Sequence, residues 1–205
     1  MVQCYFGKVA IDKIPSENYN DFMIYTTKEL LKLLNNFRNI NSAVNEGRYY
    51  KIGHGLYTDE GPYISELEQI FAQHPNAVLT MQSAFARYSI TDYVPDKYYV
   101  ATSQKAHKIQ NKKVSQLYIS DKILNIGKVK VETKYGYYII YDKERMLIEL
   151  FRLKSKFGYD YYKEAVNCYR RLALNDELDF YKLGKYLDAF PNGNKLEKQI
   201  QEIIL

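Results

Sequence analysis

Apolar residues recur along this chain with two different periods, and the switches between them mark out its elements. Over residues 5–16, Phe6, Val9, Ala10, Lys13 and Ile14 follow a helical spacing that ends near Pro15. The polar stretch 16–21 separates that helix from Phe22-Met23-Ile24-Tyr25, a short apolar run that predicts a strand. Thr26-Thr27-Lys28-Glu29 has the form of a capping box. Thr26 can accept from the backbone N–H of Glu29, whose carboxylate can reach back. Leu30, Leu31, Leu33 and Leu34 supply the buried side of the helix that follows. After the break Leu34-Asn35-Asn36, a second short helix runs from Phe37 to Glu46. Phe37, Ile40 and Val44 share its inward face. Gly47 stands where a left-handed C-terminal cap belongs. Arg48–Ile52 and Leu56–Thr58 read as strands around the tight turn Gly53-His54-Gly55. Helix, short break, helix, hairpin is the order of a winged helix-turn-helix.

Asp59-Glu60-Gly61-Pro62 is polar and holds a Gly-Pro breaker, so it predicts a domain boundary. Residues 1–60 form one expected domain and residues 61–205 the other. Beyond the boundary, Ile64–Gln73 is helical in pattern, with Ile64, Leu67, Ile70 and Phe71 inward. Ala77–Leu79 is a short strand and Gln82–Tyr88 a short helix. Four β-rich runs follow, at 98–102, 114–119, 128–133 and 137–141. From Asp142 onward the pattern turns helical, over 143–157, 159–174, 177–190 and 195–205. The expected fold class is α+β: an N-terminal winged helix-turn-helix, then a domain made of a small mixed β-sheet with helices.

Charge changes this picture in one place. The chain of 205 residues has a net charge of +5. Residues 1–60 are neutral and residues 61–96 carry −3. Residues 97–134 hold nine lysines against Asp121 and Glu132, giving +7, and residues 135–205 carry +1. Such a block either attracts phosphate or forms a solvated lysine-rich face. Lys105, Lys108, Lys112 and Lys113 cluster in one predicted loop, 103–113; a second loop is expected over 121–127.

The helix Phe37–Glu46 offers the sharpest chemistry. Its outer face is Arg38, Asn39, Asn41, Ser42 and Asn45, with no acidic residue before Glu46. Major-groove readout uses paired donors and acceptors of this kind: Arg on guanine O6 and N7, Asn on adenine N6 and N7. Asn is a poor helix former, at a cost on the order of 0.5 kcal/mol each, so three on one exposed face call for a reason. The alternative is a plain polar surface helix. In the hairpin, Arg48, Lys51 and His54 can reach phosphate or the adjacent minor groove. For His54 taken alone, a plain Gly-His-Gly turn is the simpler account.

Little points to catalysis. The three histidines, at 54, 74 and 107, lack metal-ligand spacing, and Cys4 and Cys168 form no CxxC pair. No nucleophile elbow, Walker loop or dinucleotide fingerprint occurs. Asp142 and Asp176-Glu177 precede predicted helices and read as caps. Cys168, beside Arg170 and Arg171, is either a buried thiol or one with a lowered pKa. No cofactor, metal or catalytic residue is expected. With no apolar run of the roughly 18 residues a membrane span needs and no secretory signal, a cytoplasmic protein with reduced thiols is expected.

Four stretches, in order and spacing, resemble the AbiEi family of antitoxins from type IV toxin–antitoxin (abortive infection) systems. They are Tyr25–Leu30, Gly47–Tyr57, Ala77–Phe85 with Ile90–Val100, and Tyr141–Arg152, whose Asp-x-Glu-Arg is Asp142, Glu144 and Arg145. The resemblance implies a winged-helix domain that reads operator DNA and a carboxy-terminal domain with antitoxin activity. It implies repression of the protein's own promoter and counteraction of a nucleotidyltransferase-type toxin. Inverted-repeat operators suit two copies, as a dimer or as cooperative monomers. Two alternatives stand beside it. One is a stand-alone winged-helix regulator whose second domain binds a ligand or dimerises. The other is an enzyme or RNA-binding module using a tyrosine- and lysine-rich sheet.

Overall fold

The computed structural model describes residues 24–59, 61 and 64–204. The helix expected over 5–16, Cys4, and the strand positions Phe22 and Met23 lie outside them. The first described residues build β1 (Ile24–Thr26), α1 (Thr27–Leu34), α2 (Phe37–Asn45), β2 (Tyr50–Gly53) and β3 (Leu56–Thr58). The strands form an antiparallel sheet in the order β1-β3-β2, with Thr58 opposite both Ile24 and Tyr50.

The local chemistry explains where each element starts and stops. Thr26 and Glu29 form the expected capping box: Glu29 Oε2 accepts from the Thr26 N–H at 2.7 Å, and Thr26 Oγ1 accepts from the Glu29 N–H at 3.3 Å. Asn35 turns the chain at φ 69°, a left-handed conformation that asparagine tolerates better than most residues. Asn36 then caps α2, its Oδ1 accepting from the Asn39 N–H at 2.9 Å. Gly47, at φ 73°, closes α2 in a Schellman motif. Its N–H donates to Val44 O at 3.1 Å, and the Arg48 N–H donates to Ala43 O at 2.9 Å.

Leu30, Ile40, Ala43 and Leu56 are buried and fill the space between these helices and the sheet. Two apolar residues expected inward are not there: Leu33 is 58% exposed and Phe37 60%. Ile40 and Ala43 set the inward direction of α2, which turns Phe37 towards solvent. Leu30 does the same in α1 at the expense of Leu33.

The second part runs α3 (Glu66–Gln73), β4 (Val78–Leu79), α4 (Met81–Arg87), β5 (Tyr98–Ser103), β6 (Val114–Ile119), α5 (Asp121–Leu124), β7 (Lys128–Thr133) and β8 (Gly136–Tyr141). Its five strands form a mixed sheet in the order β6-β5-β4-β8-β7. Strand β5 runs parallel to β6 and β4 parallel to β8, while β4–β5 and β7–β8 are antiparallel. This is the α+β class with a small mixed sheet, as expected; the single-turn helix α5 falls in a segment read as a loop.

Four helices complete the chain: α6 (Lys143–Arg152), α7 (Tyr159–Leu174), α8 (Phe180–Asp188) and α9 (Gly193–Ile204). A 3-10 turn at Lys154–Lys156 ends α6 earlier than the pattern suggests. Helix α6 is the centre of this layer, with every residue from Glu144 to Phe151 buried. It packs against α4, α7, α8 and α9.

Helix α3 joins the two sheets. It packs against β8 on one side, where Phe71 meets Tyr138 at a ring separation of 5.9 Å, and against β1 and β3 on another. Its own start is fixed by a second capping box, Ser65 with Glu68.

Candidate nucleic-acid interface

Helix α2 presents the polar face that its sequence indicates. Arg38, Asn39, Asn41, Ser42 and Asn45 are all exposed. They are not equivalent, however. Asn39 Nδ2 donates to Leu34 O at 2.7 Å and so ties α2 to the end of α1. Ser42 Oγ donates to Glu46 Oε1 at 2.6 Å, and Glu46 Oε2 accepts from Arg48 Nε at 2.8 Å. The Ser42 hydroxyl and then the Arg48 guanidinium hold the Glu46 carboxyl below its usual range. Glu46 is thus a clamp that fixes the orientation of Ser42 and Arg48 at the exit of the helix. The side chains of Arg38, Asn41 and Asn45 make no hydrogen bond or ion pair with the described residues.

The hairpin is short and braced. Strand β1 pairs with β3 as far as Thr26 opposite Leu56, so the turn barely projects beyond the sheet. Gly55, at φ 66°, closes the turn, and its carbonyl accepts from the Thr27 N–H at 2.9 Å. Gln73, at the end of α3, donates from Nε2 to His54 O at 2.9 Å. The His54 and Lys51 side chains are exposed. At the other end of the hairpin, Tyr25 and Tyr49 meet edge to face at 5.5 Å, and the Tyr25 hydroxyl donates to Asp59 at 3.0 Å.

The basic loop between β5 and β6 is anchored too. Ile109 is buried, and its N–H donates to Gln116 Oε1 at 2.8 Å. Gln116 Nε2 donates to Thr102 Oγ1 at 2.7 Å and to His107 O at 3.1 Å. Lys105, Lys108, Lys112 and Lys113 are exposed around this anchor. Lys113 is ion-paired with Glu66 in the first turn of α3. Helix α3 therefore carries the basic loop at its first residue and the hairpin turn at its last. The two lie roughly 10 Å apart along it, at 1.5 Å per residue.

Sequence reasoning missed Gln73 and Glu46. Gln73 acts across 19 positions of chain and left no local signal. Glu46 was legible: an acid four residues after Ser42 and two before Arg48 can reach both.

Elsewhere, polar side chains cap and cross-link the helices around α6. Asp142 caps α6, accepting from the Arg145 N–H at 2.8 Å, as its position indicated. It also accepts from the Tyr186 hydroxyl at 2.8 Å, while Lys182 bridges Asp142 and Glu144 at 3.0 and 2.9 Å. Cys168 is buried. Among the described residues, no group of three or more His, Cys, Asp or Glu side chains could hold a metal ion, and no helix is long and apolar enough to cross a membrane. A groove of about 130 Å³ between α8 and α9, over Leu183, Leu187 and Ile200, is below the roughly 300 Å³ of an ordinary ligand pocket.

No protein-family model matches the chain, and no curated protein matches it in sequence. Among solved structures it is similar to the crystal structure of the RV2827C protein from Mycobacterium tuberculosis. The TM-score is 0.54 at 16% sequence identity, and the alignment covers 89% of this chain and 71% of that one. The likeness is one of fold.

Proposed function

We propose that this chain binds double-stranded DNA through a winged helix-turn-helix at residues 24–59, with α2 laid into the major groove, and that it represses its own promoter. One observation carries the reading: α2 turns an Arg- and Asn-rich face to solvent within the order β1-α1-α2-β2-β3. That face is the chemistry of base-edge readout. Lys51 on the hairpin, with Lys105, Lys108 and Lys112 of the 104–113 loop, adds the positive charge that a duplex attracts, and Arg48 at the exit of α2 stands beside them, paired with Glu46. Phe37, exposed beside the polar face, suits contact with a thymine methyl group.

The resemblance to AbiEi antitoxins extends this proposal. On it, residues 61–205 counteract a nucleotidyltransferase-type toxin, and the promoter is the regulated site. The DNA half is tested by duplex-shift titration with the gene's own upstream sequence against an unrelated duplex, at two salt concentrations. Tighter binding to the upstream duplex, weakening steeply with salt, is expected. Equal binding to both duplexes would overturn the repressor reading. Co-expression with the toxin encoded alongside tests the antitoxin half; unrelieved growth arrest would overturn it.

A further inference from the structure

We propose that, of the polar side chains on α2, only Arg38, Asn41 and Asn45 read base identity, and that each half-site of the operator places one guanine and two adenines within about three base steps. This inference rests on the duplex-DNA reading above and specifies which side chains carry its sequence information.

The division comes from what the fold has already engaged. Asn39 serves the turn through Leu34 O, and Ser42 and Arg48 are held by Glu46. Arg38, Asn41 and Asn45 are exposed, and their side chains have no hydrogen-bond or ion-pair partner among the described residues. Helical geometry then brings the three together. At about 100° per residue, the buried Ile40 and Ala43 define the inward pole of α2. Arg38 and Asn45 lie within roughly 20° of each other at the opposite pole, and Asn41 lies about 40° from Asn45. Asn39 falls at the margin, more than about 90° from that pole.

The stripe runs seven residues from end to end, roughly 10 Å at 1.5 Å per residue. That length matches about three base steps at 3.4 Å each. Its chemistry selects bases. Arg binds guanine O6 and N7 with two hydrogen bonds, and Asn binds adenine N6 and N7 in the same way. No carboxylate stands on the stripe to accept from cytosine N4, because Glu46 faces Ser42 and Arg48. The side-chain order places the guanine at the Arg38 end and the adenines towards Asn45.

The test uses the full chain and a pool of duplexes with a randomised core. Selection is expected to enrich a guanine followed within about three steps by two adenines. Replacing that guanine by 7-deazaguanine, which removes the N7 acceptor, should weaken wild-type binding roughly 5- to 150-fold. Arg38→Ala should bind the two duplexes alike. Asn41→Ala and Asn45→Ala should each lose preference for one adenine. Alanine is the better helix former, so such losses do not come from an unravelled helix. An Arg38→Ala protein that still discriminates against 7-deazaguanine would overturn the assignment. So would an enriched sequence lacking the guanine and adenines, or salt-sensitive binding with no enrichment; these leave the DNA reading standing. No binding to any duplex at low salt removes both.

Discussion

The guanidinium of Arg145 and the carboxylate of Glu149, one turn apart on α6, meet at 2.6 Å with both side chains wholly buried. Arg145 also donates to Ile123 O at 2.9 Å and lies between the rings of Tyr141 and Phe190, 4.6 and 4.5 Å from their centroids. The second oxygen of Glu149 accepts from Arg152 at 3.0 and 2.5 Å. Breaking a buried pair from one side leaves an uncompensated charge. Glu149→Leu is therefore expected to destabilise the fold by about 3–5 kcal/mol. The double variant Arg145→Met/Glu149→Leu should lose less, because no wholly buried charge is stranded and Arg152, also paired with Glu149, is partly exposed and can turn to water. Urea unfolding midpoints of the two variants check this, and equal losses would contradict it.

Gly127 lies directly against Arg145. Its φ is 75°, and a Cβ there would run into Arg145 Cβ and come within 3.1 Å of Asp142 Oδ1. Gly127→Ala combines left-handed backbone strain with overpacking, each on the order of 1–3 kcal/mol. A clear drop in thermal midpoint is expected. Gly158→Ala, where the added methyl meets only open space and the cost is confined to the N-cap of α7 (Tyr159–Leu174), should lower the midpoint less.

His74 gives the fold a pH dependence near neutrality. Burial holds its imidazole below its ordinary value of 6.5. Protons therefore bind the unfolded chain more readily between the folded and unfolded values. The contribution is present in full above about pH 6.5 and is lost as pH falls through the folded value. Urea midpoints at about pH 7.5 and about pH 5.5 should differ more in the wild type than in His74→Gln.

On the duplex-DNA proposal, the basic loop sets salt dependence separately from base preference. Replacing Lys105, Lys108 and Lys112 together by Ala should lower the slope of log affinity against log salt by about 0.9 for each phosphate that is no longer neutralised. The preferred sequence should not change, since phosphate binding positions the protein rather than specifying a base. An unaltered slope would remove the loop from the interface.

Short-range chemistry was legible in the chain. The box at Thr26 and Glu29, the cap at Gly47, the turn at Gly55 and the polar face of α2 all follow from residues a few positions apart. The inward faces of the short helices were less so. Leu33 and Phe37 satisfy a helical spacing, yet with eight and nine residues each helix buries a narrow strip, and Leu30, Ile40 and Ala43 fill it. Burial at α6 goes against charge. Glu144 and Arg145 are buried, although Glu and Arg are almost never fully buried unless paired, as both are here. The signal was the apolar run from Met146 to Phe151 with Glu149 inside it. Strand order lay out of reach: β4 has two residues, and its parallel partner β8 is some sixty positions away.

The placement of α3 bears on what happens if the backbone is severed between residues 59 and 64. Cleavage there looks harmless on a linear map. The amino-terminal piece, however, would depart without the helix on which β1 and β3 lean, and its hairpin would lose the amide of Gln73 that steadies His54. The larger piece would keep α3 with one flank newly wetted. Neither fragment inherits a finished surface, so the hairpin end and the helical end of this molecule stand or fall as a unit.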